Sequence, residues 1–471
     1  MEERATANKP DASAPFREAG LPNDIVTSWL AGRPNASADF YRDSEIFSQF
    51  WKTGADLLAA LPKKPARNRK QQCAAKLVLE IGRDERDQFL RHHVETLYRM
   101  LTRDYTQFVR VENLVYDAAT LVPGLVPTIP EVKAEAQHPQ KDKDGIEIDQ
   151  GIFLSRVLNH PRAGMHLRHT MLLPRPESLA WLSQFLARGA LEMKSATIER
   201  RGKASIVTLR HPRFLNAEDE LTIDEMETAI DLATLDPETS IAVFRGGTVE
   251  HPKYKGRRIF CSGINLTHLY HGKIGYLWYI RRDMGAVNKI FRGVAKPELS
   301  PDDVSGPGTE KPWVAAVETF AIGGGCQYLL TMDYILAAND AYMTLPARKE
   351  GIIPGAANLR LPRFVGDRIA HQAIMYGRRL DCDSPEGRLI CDEVVPSAEM
   401  DAALDRVIEG LTSSGGVSAA GNRRAFRAGD EPLDLFRRYI AVYAREQAHC
   451  HFSPALISNL EHHWNAQNRK A

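Results

Sequence analysis

No stretch of the 471-residue chain approaches the roughly 18 consecutive apolar residues that a membrane crossing needs, so no membrane partner is expected. Excess charge of one sign is missing too. The chain holds 61 Lys and Arg against 60 Asp and Glu, and a net charge of +1 gives no electrostatic case for a nucleic-acid partner. Cysteine is sparse: the six, at 73, 261, 326, 382, 391 and 450, show no CxxC spacing, which argues against a disulfide framework and for a reducing cytoplasm. The opening MEERATANKPDASAPF lacks the apolar region of about 7–15 residues of a secretory leader. Residues 1–20, mixed in charge and rich in Ala, Ser and Pro, read as a loosely attached arm.

Metal-ligand spacings and a Ser-His-Asp order are also missing. The pairs His92-His93 and His462-His463 read as surface helix residues. KDKDGIEID at 141–149 offers Asp142, Asp144 and Gly145 in the manner of a calcium loop, but Ile146 stands where a third oxygen ligand belongs and Phe153 at position twelve. It reads as a turn. KKPARNRK at 63–70 reads as a charged, solvent-facing linker.

What is present centres on WVAAVETFAIGGGCQ, Trp313 to Gln327. A β-branched apolar run delivers the chain to three glycines and then to a helical pattern through Leu329, Leu330 and Met332. Backbone N–H groups at such a turn approach a ligand without a Cβ in the way, and the helix N-terminus adds partial positive charge. Taken alone, the glycines read more simply as a tight turn. A second strand end changes the balance: RIFCSGINL, Arg258 to Leu266, breaks at Ser262-Gly263 and presents the Ile264 amide. Two such donors together make the geometry that stabilises a thioester enolate.

Helical periodicity runs over Ser44–Leu61, Cys73–Leu101 and Glu177–Met193 before the core, and over Met400–Leu411 and Leu433–Gln447 after it. Between them ATIERRGKASIVTLR at 196–210 predicts two strands paired about Arg201-Gly202, followed by an α/β alternation. The expected organisation is a mainly helical domain over 1–195, a catalytic core over 196–395 and a helical region over 396–471. PELSPDDVSGPGTEKP at 297–312 reads as a surface loop placed to act as a lid or an idle insertion.

HPRFLNAED at 211–219, FCSGINL at 260–266, AIGGGCQ at 321–327 and LPARKEGIIPGAA at 345–357 occur in the order of the crotonase (enoyl-CoA hydratase/isomerase) superfamily, which the region from about 200 to 395 resembles. The resemblance implies a spiral core of ββα turns, an oxyanion hole made by the amides of Ile264 and Gly324, and C-terminal helices that assemble a homo-oligomer, a trimer or a dimer of trimers. The chain departs from the hydratase pattern at two positions. Gln327 and Ala347 stand where a hydratase carries glutamates, and neither side chain exchanges protons near neutral pH.

With NAED and the long N-terminal extension, these departures resemble a branch of cofactor-independent dioxygenases acting on 3,5-dihydroxyphenylacetyl-CoA. That implies a coenzyme A thioester and dioxygen as substrates, with no metal and no flavin. By the same resemblance Glu218 grips the ring hydroxyls, although a helix-start charge explains it equally from sequence. Arg282 and Gln327 complete the catalytic set, and Ile352 lines an apolar dioxygen pocket. His251, Tyr254, Ser262, Gly263, Asn265, Leu266, Gly325 and Gln447 are further substrate contacts, while His211, Arg213, Ala217 and Lys253 hold the coenzyme. A hydratase, isomerase or thioesterase of the same fold is the alternative, and a non-catalytic acyl-CoA-binding protein a second.

Overall fold

The computed structural model describes residues 11–304, 308–413 and 416–470. Helices fill the chain from Ala14 to Arg188, and the first strand follows at once. The alternating segment at 196–210 forms the expected hairpin: β2 (Ala196–Arg201) pairs antiparallel with β3 (Ala204–Leu209) around Gly202, whose φ of +58° is the conformation a tight turn asks of glycine. With β1 (Ala190–Glu192), β4 (Ile241–Gly246), β5 (Trp313–Val317), β7 (Tyr334–Ala338) and β10 (Glu393–Val395) they make a seven-stranded sheet in the order β1-β2-β3-β4-β5-β7-β10, parallel from β3 onward. β4 and β5 are buried along their whole length, as strands covered on both faces must be.

A second sheet, β6 (Phe320–Ile322), β8 (Tyr342–Thr344) and β9 (Leu380–Asp381), stands beside the first. The chain passes from β5 to β6 through Thr319, a β-branched residue at φ +66°. That conformation is strained. The Thr319 hydroxyl donates to Arg258 O (2.7 Å), which ties the corner to the neighbouring segment 258–262.

The helices on either side of the core in sequence share one apolar cluster. It joins Phe47, Phe89 and Ile152 of the N-terminal half to Ile440 and Ala444 of the C-terminal helix Leu433–His451, and to Ile264, Leu277 and Ile280 of the core. Helix Leu433–His451 lies along helix Ile148–Asn159. Gly151 marks the crossing, since a Cβ there would stand 2.9 Å from Ala444 O and closer still to Ala448 Cβ. The segment from Ile264 to Met284 is thus seated on the helical region while the glycine turn is seated on the sheets.

Several expectations change. Residues 1–10 of the predicted arm lie outside the described residues, but Ala14–Glu18 is helical with Phe16 buried against Trp29. The helix predicted to Met193 stops at Arg188, because Gly189 adopts φ +69° and the chain turns into β1. The solvent-facing linker is pinned: the Arg67 side chain is 3% exposed and grips Asp144 with both Nη atoms (2.5 and 2.9 Å). The calcium-like segment is indeed a turn, its amides at Asp144, Gly145 and Ile146 donating to Glu135. His93 is not a surface residue; it is buried against Phe89 and meets Asp43 Oδ2 at 2.7 Å. Among the described residues no helix is long and apolar enough to cross a membrane, and no group of three or more His, Cys, Asp and Glu could hold a metal ion.

Candidate active site

Two segments that end at the same level build the centre of the site. Residues 259–262 run beside β6, with Ile322 N donating to Cys261 O (3.0 Å) and Cys261 bridging Ala321 in parallel. Both then turn through glycine. Gly263 has φ +80°, and a Cβ on it would sit 2.7 Å from Ile322 O and 3.2 Å from Gly324 N. The Ile264 and Gly324 residues therefore come side by side. Gly324 is the first residue of helix Gly324–Leu329, so its N–H has no partner in that helix. Neither the Ile264 nor the Gly324 amide donates to a protein acceptor among the described residues. Both residues line a small cavity of about 20 Å³, together with Arg282, Gln327, Ala347 and Ile352. Space of that size holds about one water-sized molecule.

Beneath the turn lies a buried ion pair. Arg282 Nε donates to Glu218 Oε1 (2.9 Å), its Nη2 meets Glu218 Oε2 (2.9 Å) and also donates to Gly324 O (2.9 Å). Its Nη1 donates to Gln327 Oε1 (2.7 Å) and Asp283 Oδ1 (3.0 Å), and the guanidinium stacks 4.6 Å from the Tyr328 ring centre. Burial works against this charge, but the facing Glu218 carboxylate outweighs it and holds Arg282 well above the ordinary guanidinium range. Arg282 ends helix Leu277–Arg282, and Asp283 begins a π-helical turn, Asp283–Val287. The wider turn brings neighbouring residues Arg282 and Asp283 both to the cavity wall.

Glu218 differs from the expectation. Its Oε1 also accepts the Tyr328 hydroxyl (2.8 Å) and the Cys261 thiol lies 3.9 Å from Oε2, so the carboxylate is saturated by the protein and does not line the cavity. It acts here as the counter-charge that sets Arg282. Its main chain brackets Ile264: Glu218 N donates to Gly263 O (2.8 Å) and Asn265 N to Glu218 O (2.7 Å).

Other predicted contacts also serve the scaffold. Asn265 caps helix Leu266–Tyr270 by accepting from His268 N (3.1 Å) and donates to Asp219 (3.0 Å), and Leu266 packs into the helical cluster. Gly325 is pressed on Cys261 O, where a Cβ would lie at 2.6 Å. Gln447 is fully buried and accepts from Ile353 N (2.8 Å), holding from behind the turn whose Ile352 faces the cavity. The predicted coenzyme residues lie outside the cavity, together with the predicted substrate contacts His251, Tyr254 and Ser262. Ser262 Oγ donates to Phe214 O (3.2 Å), His211 Nδ1 bonds Ala217 O (3.0 Å), and Tyr254 packs on Phe320. Arg213, His251 and Lys253 are exposed, Lys253 lying 5.0 Å from the Tyr254 ring centre. Of the 297–312 stretch, residues 305–307 lie outside the described residues; Leu299–Val304, Gly308 and Glu310 gather near Arg168 and Arg427, Lys311 is buried on Ala233 O and Thr239 Oγ1 (both 2.8 Å), and no described residue of the stretch lines the cavity.

The chain is similar in sequence to known proteins. The family described as enoyl-CoA hydratase/isomerase matches residues 199–437, half of the chain. The chain is 46% identical over 394 residues, 83% of its length and 89% of the relative's, to the (3,5-dihydroxyphenyl)acetyl-CoA 1,2-dioxygenase of Amycolatopsis orientalis. The chain belongs to the crotonase family. A short-chain-enoyl-CoA hydratase of Clostridium acetobutylicum is a more distant member, 26% identical over 51% of this chain and 83% of its own. An enoyl-CoA hydratase structure from Mycobacterium avium subsp. paratuberculosis covers 57% of this chain and 98% of its own at 22% identity, with a TM-score of 0.47.

Within the crotonase frame, the structure brings Ile264, Gly324, Gln327, Arg282 and Ile352 together and leaves Glu218 one layer behind. It also adds residues that the sequence motifs missed. Trp278, Tyr279, Asp283 and Tyr443 line the cavity, Tyr443 arriving from the C-terminal helix, and so does Glu350, three residues after Ala347. Burial raises the Asp283 carboxyl against the pull of Arg282, and burial alone pushes Glu350 up to about 7. Helical spacing from Ala347 was the one sequence signal that pointed to Glu350.

Proposed function

We propose that the protein is a dioxygenase that converts 3,5-dihydroxyphenylacetyl-CoA and dioxygen to 3,5-dihydroxyphenylglyoxylate and free coenzyme A. The observation that carries this reading is the pair of unpartnered amides of Ile264 and Gly324, opening onto a cavity of about 20 Å³ in a chain with glutamine and alanine at the hydratase glutamate positions. The likeness to the Amycolatopsis relative supplies the substrate.

Loss of an α-proton from the arylacetyl thioester sends charge to the thioester oxygen, where the two amides meet it. The electron-rich enolate gives one electron to dioxygen, and the resulting pair combines to an α-peroxide. The peroxide attacks the thioester carbonyl and expels the coenzyme thiolate. Cleavage of the O–O bond with loss of the second α-proton leaves the glyoxylate with both oxygen atoms. The substrate itself supplies the electrons, so the reading calls for neither metal nor flavin. The protein contributes orientation and a dry cavity. Gln327, fixed by Arg282, offers an amide that does not titrate and so does not protonate the enolate or the peroxide.

The coenzyme is read along the outer face of His211–Ala217, His251–Tyr254 and Ser262, with Arg213 and Lys253 as phosphate partners. The active form is read as a homo-oligomer. Oxygen uptake by chelator-treated protein given the thioester tests the reaction. Uptake matched to thiol release and a glyoxylate product supports it, and thiol release in anaerobic buffer would instead mark a thioesterase.

A further inference from the structure

Ala347 removes one glutamate from the hydratase pattern, yet the short helix Ala347–Glu350 returns a carboxylate one turn later. Residues three apart share a helix face, and Ala347 and Glu350 both line the cavity. Glu350 is 6% exposed. A Cβ built on Gly323 would lie 3.8 and 3.9 Å from its two carboxylate oxygens, so the acid rests against the very turn that presents the Gly324 amide.

The other carboxylates of the site are spent. Glu218 is held by Arg282 and Tyr328, and Asp283 is held by Arg282. The Glu350 carboxylate makes no hydrogen bond or ion pair among the described residues, and burial is what raises its proton affinity. A buried carboxylate without a partner is costly, and such a group in a cavity wall marks a site of proton chemistry. We propose that Glu350 is the general base that takes the α-proton of the bound thioester, an assignment that rests on the enolate-forming reading above.

In that step Glu350 removes one α-hydrogen as a proton. The C–H electron pair becomes the new carbon–carbon π bond while the carbonyl pair moves to the oxygen held by the Ile264 and Gly324 amides. The proton stays on the carboxyl group, and dioxygen reacts only afterwards. A carboxyl raised to about 7 is suited to this, since it is ionised near neutral pH and more basic than an ordinary carboxylate. The groups facing it from the surrounding elements are Tyr279, Arg282 and Asp283 from the helix and π-turn, Gln327 beyond the glycines and Tyr443 from the C-terminal helix. Each titratable member of that set is either cationic and paired or held above its ordinary range by burial.

Exchange of the α-hydrogens of 3,5-dihydroxyphenylacetyl-CoA in anaerobic D2O, followed by mass, reads proton removal apart from oxygen chemistry. Glu350→Gln should slow exchange about 10²–10⁴-fold while the thioester still binds, and should erase a pH limb centred near 7. Glu350→Asp should restore part of the rate. Exchange at the wild-type rate in Glu350→Gln overturns the assignment; if that variant does not fold, unchanged exchange and pH profile in Glu350→Asp overturn it instead. Oxygen uptake by the wild type separates this claim from the one beneath it. Uptake with exchange indifferent to Glu350 overturns the base alone, whereas Glu350-dependent exchange without uptake overturns the dioxygenase reading and leaves the base standing.

Discussion

Gly324→Ala tests whether the glycine turn and the buried ion pair are one structure. The added methyl would stand 2.9 Å from Arg282 Nη2 and closer still to Glu218 Oε2. Neither partner can give way cheaply. Arg282 is tied to Asp283, Gln327 and Gly324 O, and Glu218 to Tyr328. Making room means parting a pair in which both side chains are under 5% exposed, and opening a buried pair costs about 3–5 kcal/mol. That is a large share of a stability of about 5–15 kcal/mol. The same displacement moves the Gly324 N–H, and if that group is an oxyanion donor as proposed, kcat should fall about 10²–10³-fold. Denaturant unfolding and thiol release from the thioester read the two effects separately. Gly410→Ala is the control: its Cβ would meet nothing within 4 Å, in helix Met400–Thr412, and alanine there should stabilise by about 0.5–1 kcal/mol. If Gly324→Ala unfolds within about 0.5 kcal/mol of the wild type, the mechanical coupling argued here is wrong.

Glu431 predicts an acid limb. Burial opposes its charge, but Arg360, Arg292 and Arg363 overcome that and pull its pKa from 4.5 to about 2, so stability present above pH 4.5 is lost as pH falls toward 2. The contribution is about 3 kcal/mol, and pH-dependent melting of Glu431→Gln should show both a lower Tm at neutral pH and a flatter acid limb. Glu350 has the opposite sign. Raised from 4.5 to about 7, it costs stability progressively as pH climbs from 4.5 to 7, so Glu350→Gln should raise Tm at pH 8 and change little at pH 4. Equal Tm shifts at the two pH values would contradict its burial as an ionisable acid. Gly151→Val should push helices Ile148–Asn159 and Leu433–His451 apart and cost about 1–3 kcal/mol by overpacking, read by thermal melting.

Much of this molecule is written locally. Backbone conformation depends on neighbours in sequence, so the Gly202 hairpin, the glycine turn at 323–325, the break at Gly263 and the helices near Arg69–Leu101, Met400–Thr412 and Leu433–His451 were legible from residue type and spacing. The two turns were readable on their own, but the pairing of the Ile264 and Gly324 amides was implied by the crotonase resemblance, and it is tertiary packing of Gly263 on Ile322 and Gly324 that sets them side by side. The use of charge was not legible, because a carboxylate's role depends on what converges on it from far along the chain. Glu218 reads as a ligand for phenols until Arg282, 64 residues away, and Tyr328, 110 away, take its oxygens. Arg67 reads as a solvated cation until Asp144, 77 residues on, neutralises it. Glu350 reads as one charge among several in ARKEG until the fold buries its carboxylate beside the glycine turn with no partner among the described residues. Sequence determined where the backbone could turn and which faces were apolar; tertiary packing alone decided which charges were neutralised and which was left free, since water is excluded and partners are chosen only when distant segments meet.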